Sequence, residues 1–347
     1  MMVEMTTTQP LVDALGAAGY RLTEPRRVVA ELISDRDGHF TANDIIDLAQ
    51  ERELNIGRAT IFRALDLFTE LQLLERIDLP NGDHAYVPCL PGSHHHHVIC
   101  QRCARVTEVE DLGLGKAISG MERKTGWAVQ KHRLELYGLC PECQTAASVE
   151  RWNERYADRD YLWRVEPNQF VERHVSGLEP GTAVDLAAGE GRNAVWLARQ
   201  GWRVTAVDFS QAGLDKTERL AVDSGVADRV MTVNADALAW APAEPLDLVV
   251  IAYLQLPPEQ VRTVLEHAAT WLRPGGRVLV VAHDRTNIEH GYGGPLTPEH
   301  CYDLDETVAA LAGLEMEVAE VAERHVETED GPRTALDTLV VARRPAT

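Results

Sequence analysis

No run of this 347-residue sequence approaches the roughly 18 consecutive apolar residues that a membrane-spanning helix needs. The acidic start, Met1 to Pro10, also lacks the basic and apolar regions of a secretory signal. Both absences lead to the expectation of a cytoplasmic protein with no membrane partner. Basic side chains are scarce, 34 against 54 acidic ones, for a formal net charge of −20. That balance argues against a generally sticky nucleic-acid coat but leaves room for a small DNA-reading surface. Residues 1–147 carry 15 basic and 21 acidic side chains and residues 148–347 carry 19 and 33, so the excess acid sits mainly in the second half. Internal repeats are absent, and the only low-complexity tract is His94–His97. Cysteine is nearly confined to one place. Five of the six (Cys89, Cys100, Cys103, Cys140, Cys143) fall within 55 residues, leaving Cys301 outside. In a reducing compartment such clustering favours metal over disulfides.

What is present is ordinary for a folded chain: 45% hydrophobic and 25% charged residues, which excludes disorder as the dominant state. The length exceeds what one core usually serves, so two or more domains are expected. Thr23-Glu24-Pro25, Thr41-Ala42-Asn43-Asp44 and Asn55-Ile56-Gly57 each open a helical pattern, the first with a capping Thr and the second with a capping box. Leu74–Leu79 and Ala85–Val87 flank Asn81-Gly82, a hairpin signal. Three helices and a two-stranded wing predict a winged helix. From about Val149 strand-like runs (Ala183–Leu186, Val204–Val207, Leu248–Ala252, Val278–Ala282, Leu339–Arg343) alternate with helices, the pattern of a parallel sheet wound with helices. Gln144–Glu150 reads as a short linker between the halves.

Cys100-x-x-Cys103 and Cys140-x-x-Cys143, separated by 36 residues, supply two thiolate pairs suited to one tetrahedral zinc. In the extended run His94-His95-His96-His97, alternate rings face opposite ways, so a His-x-His pair on each face suits two metal sites. Glu75, Cys89, Glu108, His132 and His39 are candidate partners. With Gly19–Arg27, Arg58-Ala-Thr-Ile-Phe-Arg-Ala-Leu65 and His132–Cys143, these motifs resemble the ferric uptake regulator family over about residues 9–145. The resemblance implies a winged-helix reader of double-stranded operator DNA, a dimerisation half that makes a homodimer, a structural zinc on Cys100, Cys103, Cys140 and Cys143, and a regulatory metal site. In the family's zinc-uptake branch the sensing ligands match Glu75, Cys89, His95 and His97, with Glu75 where Asp is usual. A thiolate there favours zinc over iron, although the sensed metal stays open. A second family site matches His94, His96 and His132, but its glutamate is replaced by Gly115, which weakens it. The third helix buries Ile61, Leu65 and Phe68 and turns Arg63 outward, with Thr60 on its flank and Arg58 at its start. The resemblance adds Arg21 as a DNA contact.

Val184-Asp185-Leu-Ala-Ala-Gly189-Glu-Gly191-Arg192-Asn193 joins a strand to a helix through glycines that let a ligand approach the backbone. Val204–Asp208 then ends a second strand in an acid placed for ribose hydroxyls, and Asn234-Ala-Asp236 ends a third. This ordered series resembles the class I S-adenosylmethionine-dependent methyltransferases over about residues 150–345. It is similar in particular to the small-molecule branch with tellurite-resistance and thiopurine methyltransferase-like members. The resemblance implies that Asp185, Gly189 and Gly191 line the methionine end, Asp208 the ribose and Asp236 the adenine edge. It also makes Trp152–Tyr156 and Trp163–Pro167 a lid. Ala187 stands where many members have a first glycine. No catalytic residue and no general base stands out; Tyr253, Gln255 and His283 read as packing or support. Ala252–Pro257 lacks the signature of amine methylation on bases.

The expected class is α/β overall. A winged-helix DNA-binding domain (9–84) and a small α+β zinc-binding dimerisation domain (85–147) precede a Rossmann-like doubly wound methyltransferase domain (148–347). The expected function is a zinc-responsive transcriptional repressor fused to an S-adenosylmethionine-dependent enzyme with a small-molecule methyl acceptor. Three alternatives compete: an inert S-adenosylmethionine sensor, an enzyme whose regulator half only dimerises it, and two neighbouring proteins joined by a reading-frame error.

Overall fold

The computed structural model describes residues 8–346, apart from 18, 37, 89–95, 110–112, 131, 133, 159, 163–164 and 329. Its contacts divide the chain into two compact units, Met1–Ala146 and Ala147–Thr347.

In the first unit, α1 (Thr8–Ala17), α2 (Glu24–Ser34), β1 (Phe40–Thr41), α3 (Ala42–Glu51) and α4 (Arg58–Glu70) precede the hairpin β2 (Leu74–Asp78) and β3 (His84–Pro88). The helix starts follow their caps. Thr41 accepts from the Asp44 amide while the Asp44 carboxylate accepts from the Thr41 amide, a closed capping box. Thr23 holds the corresponding place before α2 without a side-chain bond, and Pro25 in the first turn supplies the fixed φ instead. Gly82, at φ +85°, turns the hairpin, and the antiparallel sheet runs β1-β3-β2. Leu11, Leu15, Val29, Ile33, Ile45, Ile61, Leu65 and Phe68 make one core. Helix α1 is additional to the three expected helices; Leu11 and Leu15, four residues apart, give it a buried face.

A second sheet, β5-β4-β6, is built from β4 (His96–Cys100), β5 (Val106–Val109) and β6 (Glu135–Gly138), with α5 (Leu114–Thr125) between the last two. Ile99 of β4 packs with Ile77, Leu79, Ala85 and Val87 of the hairpin, which ties the two sheets together. The segment read as a linker, Gln144–Glu150, is helical, lying inside α6 (Pro141–Ala157). Proline opens that helix, and the Ala-Ala pair continues it with no glycine or proline to stop it.

The second unit continues through α7 (Gln169–Val175), β7 (Thr182–Leu186), α8 (Arg192–Arg199), β8 (Arg203–Asp208), α9 (Gln211–Asp223), β9 (Val230–Asn234), β10 (Leu246–Ala252), α10 (Pro258–Trp271) and β11 (Leu272–His283). It closes with α11 (Asn287–His290), α12 (Leu304–Ala310), β12 (Glu315–Thr328) and β13 (Gly331–Arg343). The sheet order is β12-β13-β11-β10-β7-β8-β9. Central strands read as continuous apolar runs because both faces are covered. Val184, Leu186, Val249, Ile251 and Val280 enter one core, while Ala183, Leu248, Val250 and Leu279 enter the other. The sheet is mixed rather than parallel throughout, since β13 runs antiparallel to both β11 and β12. A short connection at 329–330 forces that hairpin geometry, because a parallel return needs a crossover of a dozen residues or more. Among the described residues no helix is long and apolar enough to cross a membrane.

Candidate functional site

Cys100, at the end of β4, and Cys103, in the turn after it, meet Cys140 and Cys143 at the start of α6. The four sulfurs all lie within 4.8 Å of one another. Cys103 Sγ and Cys140 Sγ are 3.7 Å apart, against the roughly 3.8 Å edge that four Zn–S bonds of about 2.3 Å give a tetrahedron. The donor set therefore fits zinc. Amides of Cys140, Cys103 and Arg102 hydrogen-bond the Cys100 sulfur and hold its thiol down to about 6. Loss of solvent and the neighbouring sulfurs push Cys143 up to about 12. A sulfur that ionises readily beside others that burial and neighbouring sulfurs hold protonated is a set that a dication completes.

Next to this knot, β4 turns its histidines to opposite sides. The His97 ring has Nδ1 3.9 Å from Glu75 Oε2 of β2, and the His96 ring lies with its centroid 5.4 Å from that of His132. Both rings are buried. Glu75 and His97 thus come together, as do His96 and His132. Glu108 is the cross-strand partner of His97, and Gly115 sits in the first turn of α5. Cys89, His94 and His95 lie outside the described residues.

Helix α4 buries Ile61, Leu65 and Phe68 and exposes Arg58, Phe62 and Arg63, with Thr60 half-buried on the flank. Arg58 reaches Asn43 Oδ1 at 3.4 Å, and Arg63 Nε donates back to the Ala59 carbonyl. Arg21 is exposed in the loop before α2. Neither Arg58 nor Arg63 is neutralised by a carboxylate among the described residues.

In the second unit, a cavity of about 750 Å³ opens where β7 and β10 diverge to opposite halves of the sheet. Ligands of open α/β sheets bind at this switch point, outside the carboxyl ends of the strands. The loop after β7 forms its floor. Ala187 takes φ +61°, Gly189 +56° and Gly191 +78°; the alanine accepts a left-handed conformation that costs on the order of 1 kcal/mol without glycine's freedom. A Cβ on Gly191 would stand 2.4 Å from Thr217 Cγ2, so only glycine fits between loop and α9. Trp152, Arg155 and Tyr156 of α6 wall one side, anchored where Asn153 Oδ1 accepts from Ser210 Oγ and the Ala212 amide.

Two buried carboxylates shape the loop from below. Asp185 Oδ2 accepts from the Ala194 amide, and Asp208 accepts from the amides of Gly189 and Ser210, each at 2.8–2.9 Å. Burial pushes Asp185 up to about 7 and raises Asp208 as well. Of the five expected cofactor residues, Gly189 lines the cavity, whereas Asp185, Gly191 and Asp208 lie beneath it. Asp236 follows β9 and turns its Oδ1 to the Leu238 amide.

A further buried carboxylate, outside the expected site residues, supports the cavity wall. Asp337 of β13, fully buried, accepts from Tyr253 Oη at 2.8 Å and Arg324 Nε at 2.7 Å, and lies 3.2 Å from His283 Nδ1. Burial alone would raise its carboxyl, but the nearby His283 and the bonds from Arg324 and Tyr253 hold it below the usual range. Tyr253, His283 and Arg324 line the cavity, as does Gln255. Arg192 lines it too, with no hydrogen bond or ion pair to a described residue, and burial pulls its guanidinium down.

Residues 17–137 match the Ferric uptake regulator family, and residues 183–276 match the Methyltransferase domain family. The Ferric uptake regulation protein of Bacillus subtilis is 33% identical over 132 residues, 37% of this chain and 89% of that protein. Its counterpart in Cupriavidus metallidurans is 32% identical over 123 residues, 35% of this chain and 85% of that protein. Through its first half, this chain belongs to the ferric uptake regulator family. Joined to that regulator half is a methyltransferase domain. The crystal structure of TehB from Haemophilus influenzae is similar at 20% identity and a TM-score of 0.45, over 51% of this chain and 62% of that one. The Vibrio cholerae ferric uptake regulator is similar at 26% identity and a TM-score of 0.33, over 37% of this chain and 98% of that one.

Two outcomes follow from this geometry. In the regulator half, Cys103→Ser should lose tightly bound zinc and lower the melting temperature, because metal binding there is folding energy. Retention of both would dissolve the assignment; metal analysis with calorimetry decides. In the methyltransferase domain, Asp185 titrates near 7 when folded and near ~4 when unfolded. A raised acid binds its proton more tightly in the folded state, so its stabilisation is complete below about 4 and is lost as the pH climbs to about 7. Asp185→Asn keeps an acceptor for Ala194 without the charge, and unfolding measured between those pH values should fall less steeply than in the wild type.

Proposed function

We propose that the chain is a zinc-responsive, DNA-binding repressor fused to an S-adenosylmethionine-dependent methyltransferase whose acceptor is a small anionic molecule. In the regulator half, Cys100, Cys103, Cys140 and Cys143 hold a structural zinc. Glu75, Cys89, His95 and His97 sense zinc, and a homodimer applies Arg21, Arg58, Thr60 and Arg63 to operator DNA. The His94, His96 and His132 set is a weaker second site. Support comes from the fit of the thiolate knot to zinc, the pairing of Glu75 with His97, and the unneutralised arginines on α4.

The observation that carries the enzymatic reading is the switch-point cavity floored by a left-handed glycine loop. Its volume lies within the range of about 300–1,000 Å³ typical of small-molecule sites. S-adenosylmethionine, when bound, supplies an electrophilic methyl on a sulfonium. The chain's part is to hold and aim. Gly189 brings bare backbone to the ligand, and Asp208 has accepted two amides of the roughly four hydrogen bonds a carboxylate can take. The rest remain for ribose hydroxyls, with Asp236 beyond it for the adenine edge. Positioning is the main requirement of an in-line methyl transfer. Arg192, a cation in the cavity wall with no ion pair to a described residue, favours an anionic group on the acceptor. A net charge of −14 over residues 148–347 disfavours polyanionic DNA as that acceptor.

Incubation with methyl-labelled S-adenosylmethionine, zinc, genomic DNA and a small-molecule extract tests both halves. Label should enter the small-molecule fraction, while recovered DNA is unlabelled but enriched in particular segments. That enrichment should need zinc, weaken as salt releases phosphate contacts, and drop at least about tenfold in Arg63→Ala. Labelled DNA, or enrichment indifferent to zinc, would overturn the reading.

A further inference from the structure

We infer that His283 is a general base whose task is to take a proton from a neutral X–H nucleophile, a thiol or hydroxyl, with Asp337 as its positioning residue. The inference rests on the methyltransferase reading and narrows its substrate class. Sequence alone offers no base, because the parts are far apart: Tyr253 follows β10, His283 ends β11, Arg324 is on β12 and Asp337 on β13. The sheet brings them together. His283 and Asp337 are cross-strand partners in the antiparallel pairing of β11 and β13, so their side chains share one face.

The arrangement is over-determined in the manner of a working site rather than of packing. Asp337 Oδ2 takes both Tyr253 Oη and Arg324 Nε, which leaves Oδ1 without a hydrogen bond of its own, 3.2 Å from a His283 Nδ1 that is likewise buried and unbonded. Its partners fix the carboxylate, and a small turn of the ring pairs the two unbonded atoms, with Nδ1 as donor. The other ring nitrogen, Nε2, bonds to no described residue, and the ring lines the cavity. Tyr253 holds its place at φ +58°, a left-handed conformation costly for a tyrosine. On the other side, Gly294 at φ +81° lies so close that a Cβ would stand 2.8 Å from the His283 ring. A buried carboxylate, a strained tyrosine and a glycine all serve the placement of one imidazole.

The step balances as follows. As the acceptor atom X forms its bond to the methyl carbon, the carbon–sulfur bond breaks and its electron pair returns to sulfur, turning sulfonium into neutral thioether. The X–H proton passes to His283 Nε2, and the imidazolium is held by Asp337. Arg192 remains for an anionic group elsewhere on the acceptor. An acceptor that arrives already ionised at the reacting atom would have no use for the dyad.

The test joins a tautomer to a substrate pair. Nitrogen NMR of the intact protein, with the His283 signals assigned by their loss in His283→Asn, should show hydrogen on Nδ1, and Asp337→Asn should abolish that preference. Two probe acceptors carry the same anionic group: 3-mercaptopropionate, whose thiol is protonated at neutral pH, and 4-mercaptobenzoate, whose thiol is largely ionised. His283→Asn should lower the ratio of transfer to the first over the second by at least about 100-fold. Hydrogen on Nε2 in the wild type, a tautomer indifferent to Asp337, or equal slowing of both probes would overturn the proposal. Failure of the wild type to bind S-adenosylmethionine in calorimetry would instead defeat the methyltransferase reading, and the tautomer would still judge the dyad.

Discussion

A carboxylate removed from water must be met by donors, and buried Asp185, Asp208 and Asp337 impose that demand at the carboxyl ends of the methyltransferase sheet. Asp185 draws in the first turn of α8, Asp208 draws in Gly189 and Ser210, and Asp337 draws in Tyr253, Arg324 and His283. The first two set the floor of the cavity and the third sets one wall. Loop strain at Ala187 and Tyr253 is tolerated because these bonds hold the surrounding backbone. The cavity is thus bounded by backbone and side chains that these carboxyl groups hold in place.

The regulator half solves a parallel problem with sulfur. Four cysteine sulfurs lie within 4.8 Å of one another where the turn after β4 meets the start of α6, a set that a dication would complete in place of a large apolar core. The apolar cluster that ties hairpin to sheet is small, centred on Ile99 between Ile77 and Val87. Histidines 96 and 97 emerge from the same strand as Cys100, so the proposed structural and sensing metals would sit at opposite ends of β4.

How much could be read from the sequence depended on range. The Thr41–Asp44 box, the Asn81-Gly82 turn and the opposite facing of His96 and His97 are local and were legible. So was the strand series up to β11, because buried parallel strands are apolar throughout. Strand β12 was missed, since Glu315, Glu317, Glu320 and Glu323 give it a composition poor for strands and it lies at a sheet edge. Without β12 the hairpin with β13 was invisible, and with it the meeting of Asp337 and Arg324. The dyad with His283 spans 54 residues and leaves no motif. Gln144–Glu150 misled for the opposite reason: a small-residue stretch resembles a linker until a proline start and alanines make it helix.

The central claim is that one chain holds a metal in its thiolate knot and S-adenosylmethionine in its switch-point cavity. Native mass spectrometry of the intact protein, purified without added metal and then mixed with S-adenosylmethionine, reads both at once. The account predicts a dimer that keeps at least one zinc per chain and gains one S-adenosylmethionine per chain. A protein that retains no zinc, or that gains no S-adenosylmethionine at saturating concentration, would contradict it.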